Sequence, residues 1–123
     1  MAEPGDGEFE LYDLRVECVE ITGEPVANYD VGDYFEVHGG KLVFPDDQDG
    51  FSLYALASLL PLLPAKQRET EPDDWMTTDT RVAGPDPNVG GVFEITRLDK
   101  QRFSHGDVSG EDRGDGDGRE EKA

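Results

Sequence analysis

Five cations, Arg15, Lys66, Arg68, Arg81 and Arg97, stand out in a chain that holds 29 Asp and Glu against 11 Lys and Arg, for a formal net charge of -18. A guanidinium offers a planar fork of donors that matches a carboxylate or phosphate, and an ammonium supplies a point charge beside it. Lys66 and Arg68 follow an apolar, helix-like segment, whereas Arg81 and Arg97 fall in strand-like segments on which they could converge with Trp75. The loop GPDPNVGG, residues 84–91, carries Asp86 and would form the rim of a pocket for a small anionic ligand, a carboxylate or a phosphate. Its two prolines equally make it a rigid turn. The ligand-binding candidates are therefore Lys66, Arg68, Trp75, Arg81, Asp86 and Arg97, with ion pairing to nearby carboxylates as their ordinary alternative use.

Other reactive groups lack the company that chemistry requires. His38 abuts a Gly-Gly turn and His105 opens a polar tail, so neither is assigned an acid or base role. Ser52 and Ser58 lack a nucleophile elbow and a partner base, and capping or helix-surface roles suffice. Asp46, Asp47 and Asp49 invite a calcium reading, but placing Gly50 at the sixth position of an EF-hand loop puts Pro45 first and Leu56 twelfth, where oxygen ligands are needed. Cys18 is the single cysteine. It excludes an intramolecular disulfide and a zinc-type cysteine cluster, and an apolar strand pattern around it predicts an inert buried thiol. No catalytic residue, metal site or cofactor is assigned.

Composition narrows the setting. So acidic a surface repels itself in dilute buffer and is relieved by salt, which predicts a halophile's soluble cytoplasmic protein. Nucleic acid is an unsuitable partner, because binding it requires a basic stripe that displaces phosphate counterions. The start, MAEPGDGEFE, has neither the charge nor the apolar stretch of a signal peptide, and the apolar run from Leu53 to Ala65 is too short to span a membrane.

The elements that must position these groups follow from periodicity. In YDLRVECVEIT, residues 12–22, Tyr12, Leu14, Val16 and Cys18 alternate with charged residues as a half-buried strand requires, and the phase slip at Val19 points to a bulge near Cys18 or to an exchange of faces. Two short apolar runs, Tyr34 to His38 and Lys41 to Phe44, flank Gly39-Gly40 and read as a hairpin. Ser52 caps a helical segment running to Arg68, with Leu53, Leu56, Ala57 and Leu60 on one face and an end or kink at Pro61. That segment holds six of the ten leucines and no acidic residue. Strands are expected over residues 80–83 and 92–98.

The blocks YDLRVECVEITGEPVANYDVGDYFEV, GFSLYALASLLPLLPAKQRE, DDWMTTDTRVAGPDP and VFEITRL together resemble a family of small uncharacterised prokaryotic proteins, over residues 12–98, with this chain a haloarchaeal-like acidic member. Relatives often place cysteines at the positions of Ser52 and Gly84, and sometimes at that of Val89. The resemblance implies that any thiol-based metal or redox role in those relatives is absent from this chain.

The expected architecture is a single α+β domain over residues 9–103, between a disordered acidic amino-terminal segment, 1–8, and a disordered Gly-rich acidic tail, 104–123. In it a small, mostly antiparallel sheet of about five strands packs the Leu-rich helical segment, with barrel-like closure expected if Cys18 marks a bulge. The functional expectation is a non-catalytic binding or accessory protein that acts through a protein partner, through a homodimer formed at Leu59 to Leu63, or through a small anionic ligand. The alternative is a small enzyme built around Trp75, Arg81, Asp86 and Arg97.

Overall fold

The computed structural model describes residues 7–24 and 29–108. The expectations for the acidic termini fall largely on residues 1–6 and 109–123, which lie outside the described residues. Five strands, β1 (Glu8–Ile21), β2 (Tyr34–His38), β3 (Lys41–Val43), β4 (Arg81–Ala83) and β5 (Gly91–Ser104), form one antiparallel sheet in the order β3-β2-β1-β5-β4. Against one face lies a helical segment made of α1 (Leu53–Leu59), a 3-10 turn (Leu60–Leu62) and α2 (Leu63–Lys66). Two single turns, α3 (Trp75–Thr78) and α4 (His105–Val108), complete the α+β fold.

The sheet face toward the helix is the core. Leu14, Val16 and Cys18 of β1, Phe35 and Val37 of β2, and Phe93 and Ile95 of β5 are buried with Ala55, Leu59 and Leu63 of the helical segment. The expected bulge is present: Cys18 pairs with Phe93 and Glu20 with Val92, which leaves Val19 as the extra residue. A second irregularity, between Tyr12 and Leu14, places one extra residue on β5, where Leu98 and Asp99 stand opposite Asp13. These bulges bend the sheet without closing it. Barrel closure does not occur, because the two edges, β3 and β4, are three residues each and do not pair with one another.

β1 and β5 are longer than their apolar periodicity suggests. Beyond Tyr12 the pairs are Glu8↔Ser104, Phe9↔Phe103 and Glu10↔Arg102. The Phe9 and Phe103 rings stack at 5.6 Å, and Arg102 pairs with Glu10 at 3.3 Å. Cross-strand pairs of this type stabilise a ribbon that each strand alone reads as polar. β5 therefore runs through Ser104 and continues into α4, within the span expected to be disordered.

The helical segment turns a different face inward than the spacing predicts. Leu53 is 68% and Leu60 43% exposed, and Ala57 is exposed too, whereas Ala55, Leu59 and Leu63 form the buried stripe. Both stripes have helical spacing, because this segment is apolar all round, and the anchors at its two ends decide the rotation. Phe51 packs edge-on against Phe35 at 5.0 Å at one end, and buried Gln67 donates to the Gly39 carbonyl at 2.7 Å at the other. Ser52 caps α1 as expected, its Oγ accepting from the Ala55 amide at 3.3 Å. Pro61 tightens the chain into the 3-10 turn, and Pro64 lies in the first turn of α2, where its missing N–H costs nothing.

Candidate functional site

The structure gathers three of the six candidate residues at the end of α2. Arg97 stands on the core face of β5, beyond the apolar layer, and donates from Nε to the Lys66 carbonyl at 2.8 Å. Its Nη2 reaches the Arg68 carbonyl at 2.8 Å and Thr70 Oγ1 at 3.0 Å, while the guanidinium lies 4.8 Å from the Tyr12 ring centroid. Lys66 is 2% exposed, and its ammonium donates to the Met76 carbonyl at 3.0 Å and to the Asp79 carbonyl. Burial, and then the neighbouring Arg97 charge, push the Lys66 ammonium below its ordinary value. Arg68 is exposed, 5.5 Å from the centroid of the Phe9 ring. The cations are thus used as clamps on backbone carbonyls where the helical segment leaves the sheet, and α3 is fastened to α2 through Lys66.

The other three candidates lie elsewhere. Arg81 opens β4 on the sheet face away from the helix and meets Glu94 at 3.7 Å and Glu20 at 4.0 Å. Asp86 accepts from the Asn88 amide at 2.9 Å within its own turn. That turn precedes β5, and Arg97 lies six strand residues beyond Gly91, roughly 20 Å away at about 3.4 Å per residue. Trp75 is 76% exposed on α3. Arg81, Asp86 and Arg97 do not converge on a common pocket.

What the fold does build is an apolar groove of about 310 Å³ between the β2–β3 hairpin and the helical segment. Val37, Leu42 and the Gly39-Gly40 turn form one wall, and Leu60, Leu63 and Pro64 form the other. Exposed Leu53, Ala57, Leu60 and Pro64 continue it as a stripe along the helix, flanked by exposed Tyr54 and Pro61. Of the span expected to mediate dimerisation, Leu59 and Leu63 belong to the core, and Leu60 and Pro61 face outward. Nothing on the stripe carries charge in a chain of -18. The surface signal was present in the sequence as an acid-free segment, but only the rotation of the helix identifies its outward residues.

Sequence reasoning left His38 beside a turn. The structure places its Nδ1 3.1 Å from Asp13 Oδ2 and its Nε2 2.8 Å from Glu36 Oε1. The bond to Glu36, followed by the charge of Asp13, raises the imidazole above its ordinary value. Glu36 could be foreseen, since residues two apart share a strand face, but Asp13 arrives only through the β1–β2 register.

A second, larger concavity of about 600 Å³ is lined by Asp30, Asp33, Asp47 and Asp49 around Gln48. Gln48 bridges the Tyr34 amide and carbonyl, at 2.9 Å each, which ties this loop to β2. No group of three or more His, Cys, Asp or Glu among the described residues is arranged to hold a metal ion. None of the described helices is long and apolar enough to cross a membrane. Comparison with known protein families, with curated proteins and with solved structures finds no match to this chain.

Proposed function

We propose that this is a non-catalytic binding protein of the cytoplasm of a salt-rich cell, and that it docks a protein partner on the groove and stripe formed by Leu53, Ala57, Leu60 and Pro64 with Leu42. The observation that carries the reading is the exposure of that apolar, acid-free surface on a chain whose remaining surface is crowded with carboxylates. Leaving Leu53 and Leu60 in water forgoes the stabilisation that their burial would bring, and contiguous patches of this type mark interaction sites. The use of the Lys66 and Arg97 donors on backbone carbonyls supports a structural role for these cations over an anion-binding one. Membership of the family of small prokaryotic proteins that the sequence resembles is part of the same proposal.

The test is capture of the tagged protein's partners from a high-salt lysate of its own cells, run in parallel with Leu60→Asp and Leu53→Asp variants. Both side chains are exposed, so the variants keep the fold. A stoichiometric partner retained by wild type and lost by both variants supports the reading. A partner retained equally by all three removes it.

A further inference from the structure

The ring of His38 is held between two carboxylates. Its Nδ1 faces Asp13 Oδ2 at 3.1 Å and its Nε2 faces Glu36 Oε1 at 2.8 Å. Nε2 hydrogen-bonds Glu36, and Nδ1 stands at ion-pair distance from Asp13; ionised carboxylates only accept, so the cation, with an N–H on each nitrogen, is the form that serves both contacts. A neutral ring would turn a lone pair toward one of the two carboxylates. Asp13 makes this costly, because it is 7% exposed and its Oδ1 has no hydrogen-bond partner among the described residues. Its Oδ2 accepts otherwise from neutral Gln101 of β5 at 3.2 Å, which leaves His38 as the charge that compensates it.

The groups around the ring come from four strands. β1 contributes Asp13 and also Arg15, which meets Glu36 at 3.5 Å. Glu36 belongs to the same strand as His38, and Lys41 of β3 is the register partner of His38 across the turn. Phe103 of β5 packs where a side chain on Gly39 would otherwise stand.

Val37 and Gly39, on either side of His38 in sequence, both line the apolar groove. The hairpin tip is therefore gripped twice, by Gln67 donating to the Gly39 carbonyl on the helix side and by His38 on the opposite side. We infer that the His38 cation is a latch between β1 and β2 that holds the hairpin wall of the groove in place, so that loss of its proton as pH is raised frees the hairpin and reshapes the groove. The consequence for a partner rests on the binding reading above, whereas the latch itself does not.

The deciding experiment uses the full chain alone, in high salt, and follows the ring nitrogens of His38 and the methyl groups of Val37, Leu42 and Leu60 by NMR as pH is raised. The expected result is a ring protonated on both nitrogens at pH 7, a midpoint above the ordinary histidine value of 6.5, and groove methyl shifts that follow that midpoint. In His38→Gln those shifts are flat over the same range, and in Asp13→Asn the midpoint falls toward the ordinary value. A ring that is neutral at pH 7 overturns the proposal, as do groove methyls that stay still while the ring titrates. Since wild type alone gives both readouts, the result stands even where a variant fails to fold. No partner enters the measurement, so a failure of the latch and a failure of the docking reading are separable.

Discussion

Arg97 donates from Nε to the backbone carbonyl of Lys66 at 2.8 Å, so two cations sit side by side at the end of the helical segment in one of the most acidic settings a chain can provide. Among the described residues, neither is paired with a carboxylate side chain. Each hydrogen-bonds carbonyls that a terminating helix and its following loop leave without intrahelical partners. The first prediction follows from that use.

Replacing Arg97 by Lys keeps the charge and removes the fork that spans Lys66, Arg68 and Thr70. Loss of two charge-assisted bonds is expected to cost about 3 kcal/mol. For a domain of this size that lowers Tm by roughly 15 °C. Thermal melts in high salt check it, and a melt within a degree or two of wild type would show that the clamp carries no stability.

Lys66 and His38 give opposite pH dependences. Burial lowers the folded-state value of Lys66, so the unfolded chain binds more protons in the window below 10.5 and the contribution of Lys66 to stability rises with pH there. The folded-state value of His38 is raised, so its contribution is complete below 6.5 and is lost as pH climbs through the folded value. Denaturant titrations from pH 6 to pH 10 are therefore expected to show the gap between wild type and His38→Gln narrowing with pH, and wild type gaining on Lys66→Met toward the alkaline end.

Gly39 has φ +62°, and a Cβ there would lie 3.3 Å from the Phe103 ring. Gly39→Ala is expected to cost about 1 to 2 kcal/mol from the left-handed backbone alone. Gly40 has open space around its position, so Gly40→Ala serves as the control. Urea midpoints of the two variants should separate clearly.

Cys18 is buried in the core beneath the helix, and burial pushes its thiol above the ordinary value. A thiol reagent such as DTNB is expected to label it at the rate of unfolding. Labelling in native buffer as fast as a free thiol would show that the β1 bulge opens locally.

Much of the fold was legible in the sequence because it depends on local signals. The alternation of Leu14, Val16 and Cys18, the Gly39-Gly40 hairpin and the Ser52 cap each act over a few residues, and each stands where periodicity or turn chemistry placed it. The extended β1–β5 ribbon was not legible, since Glu10 and Arg102 are 92 residues apart and each looks like loop alone. The buried face of the helix was illegible for another reason: Leu53, Leu56, Ala57 and Leu60 satisfy helical spacing as well as Ala55, Leu59 and Leu63 do. For the candidate site, sequence type identified Lys66, Arg68 and Arg97 as a related set but not their target, which is backbone. Arg81 was grouped with them by charge, and strand parity sends it to the opposite face.

The position of β5 beside β1 sets the order in which this domain can assemble. β1 is central, β2 and β3 fold onto it through a nearby hairpin, and β5 arrives last along the chain to cover its other edge. Until then a nascent chain exposes the unpaired edge of β1 and lacks Phe93 and Ile95, two of the largest residues of the core. Loop closure over that distance is slow, and an open strand edge invites pairing with another chain. The acidic residues of β1, Glu10, Asp13, Glu17 and Glu20, put like charges on that waiting strand in every copy, so that two chains with the edge still open repel one another.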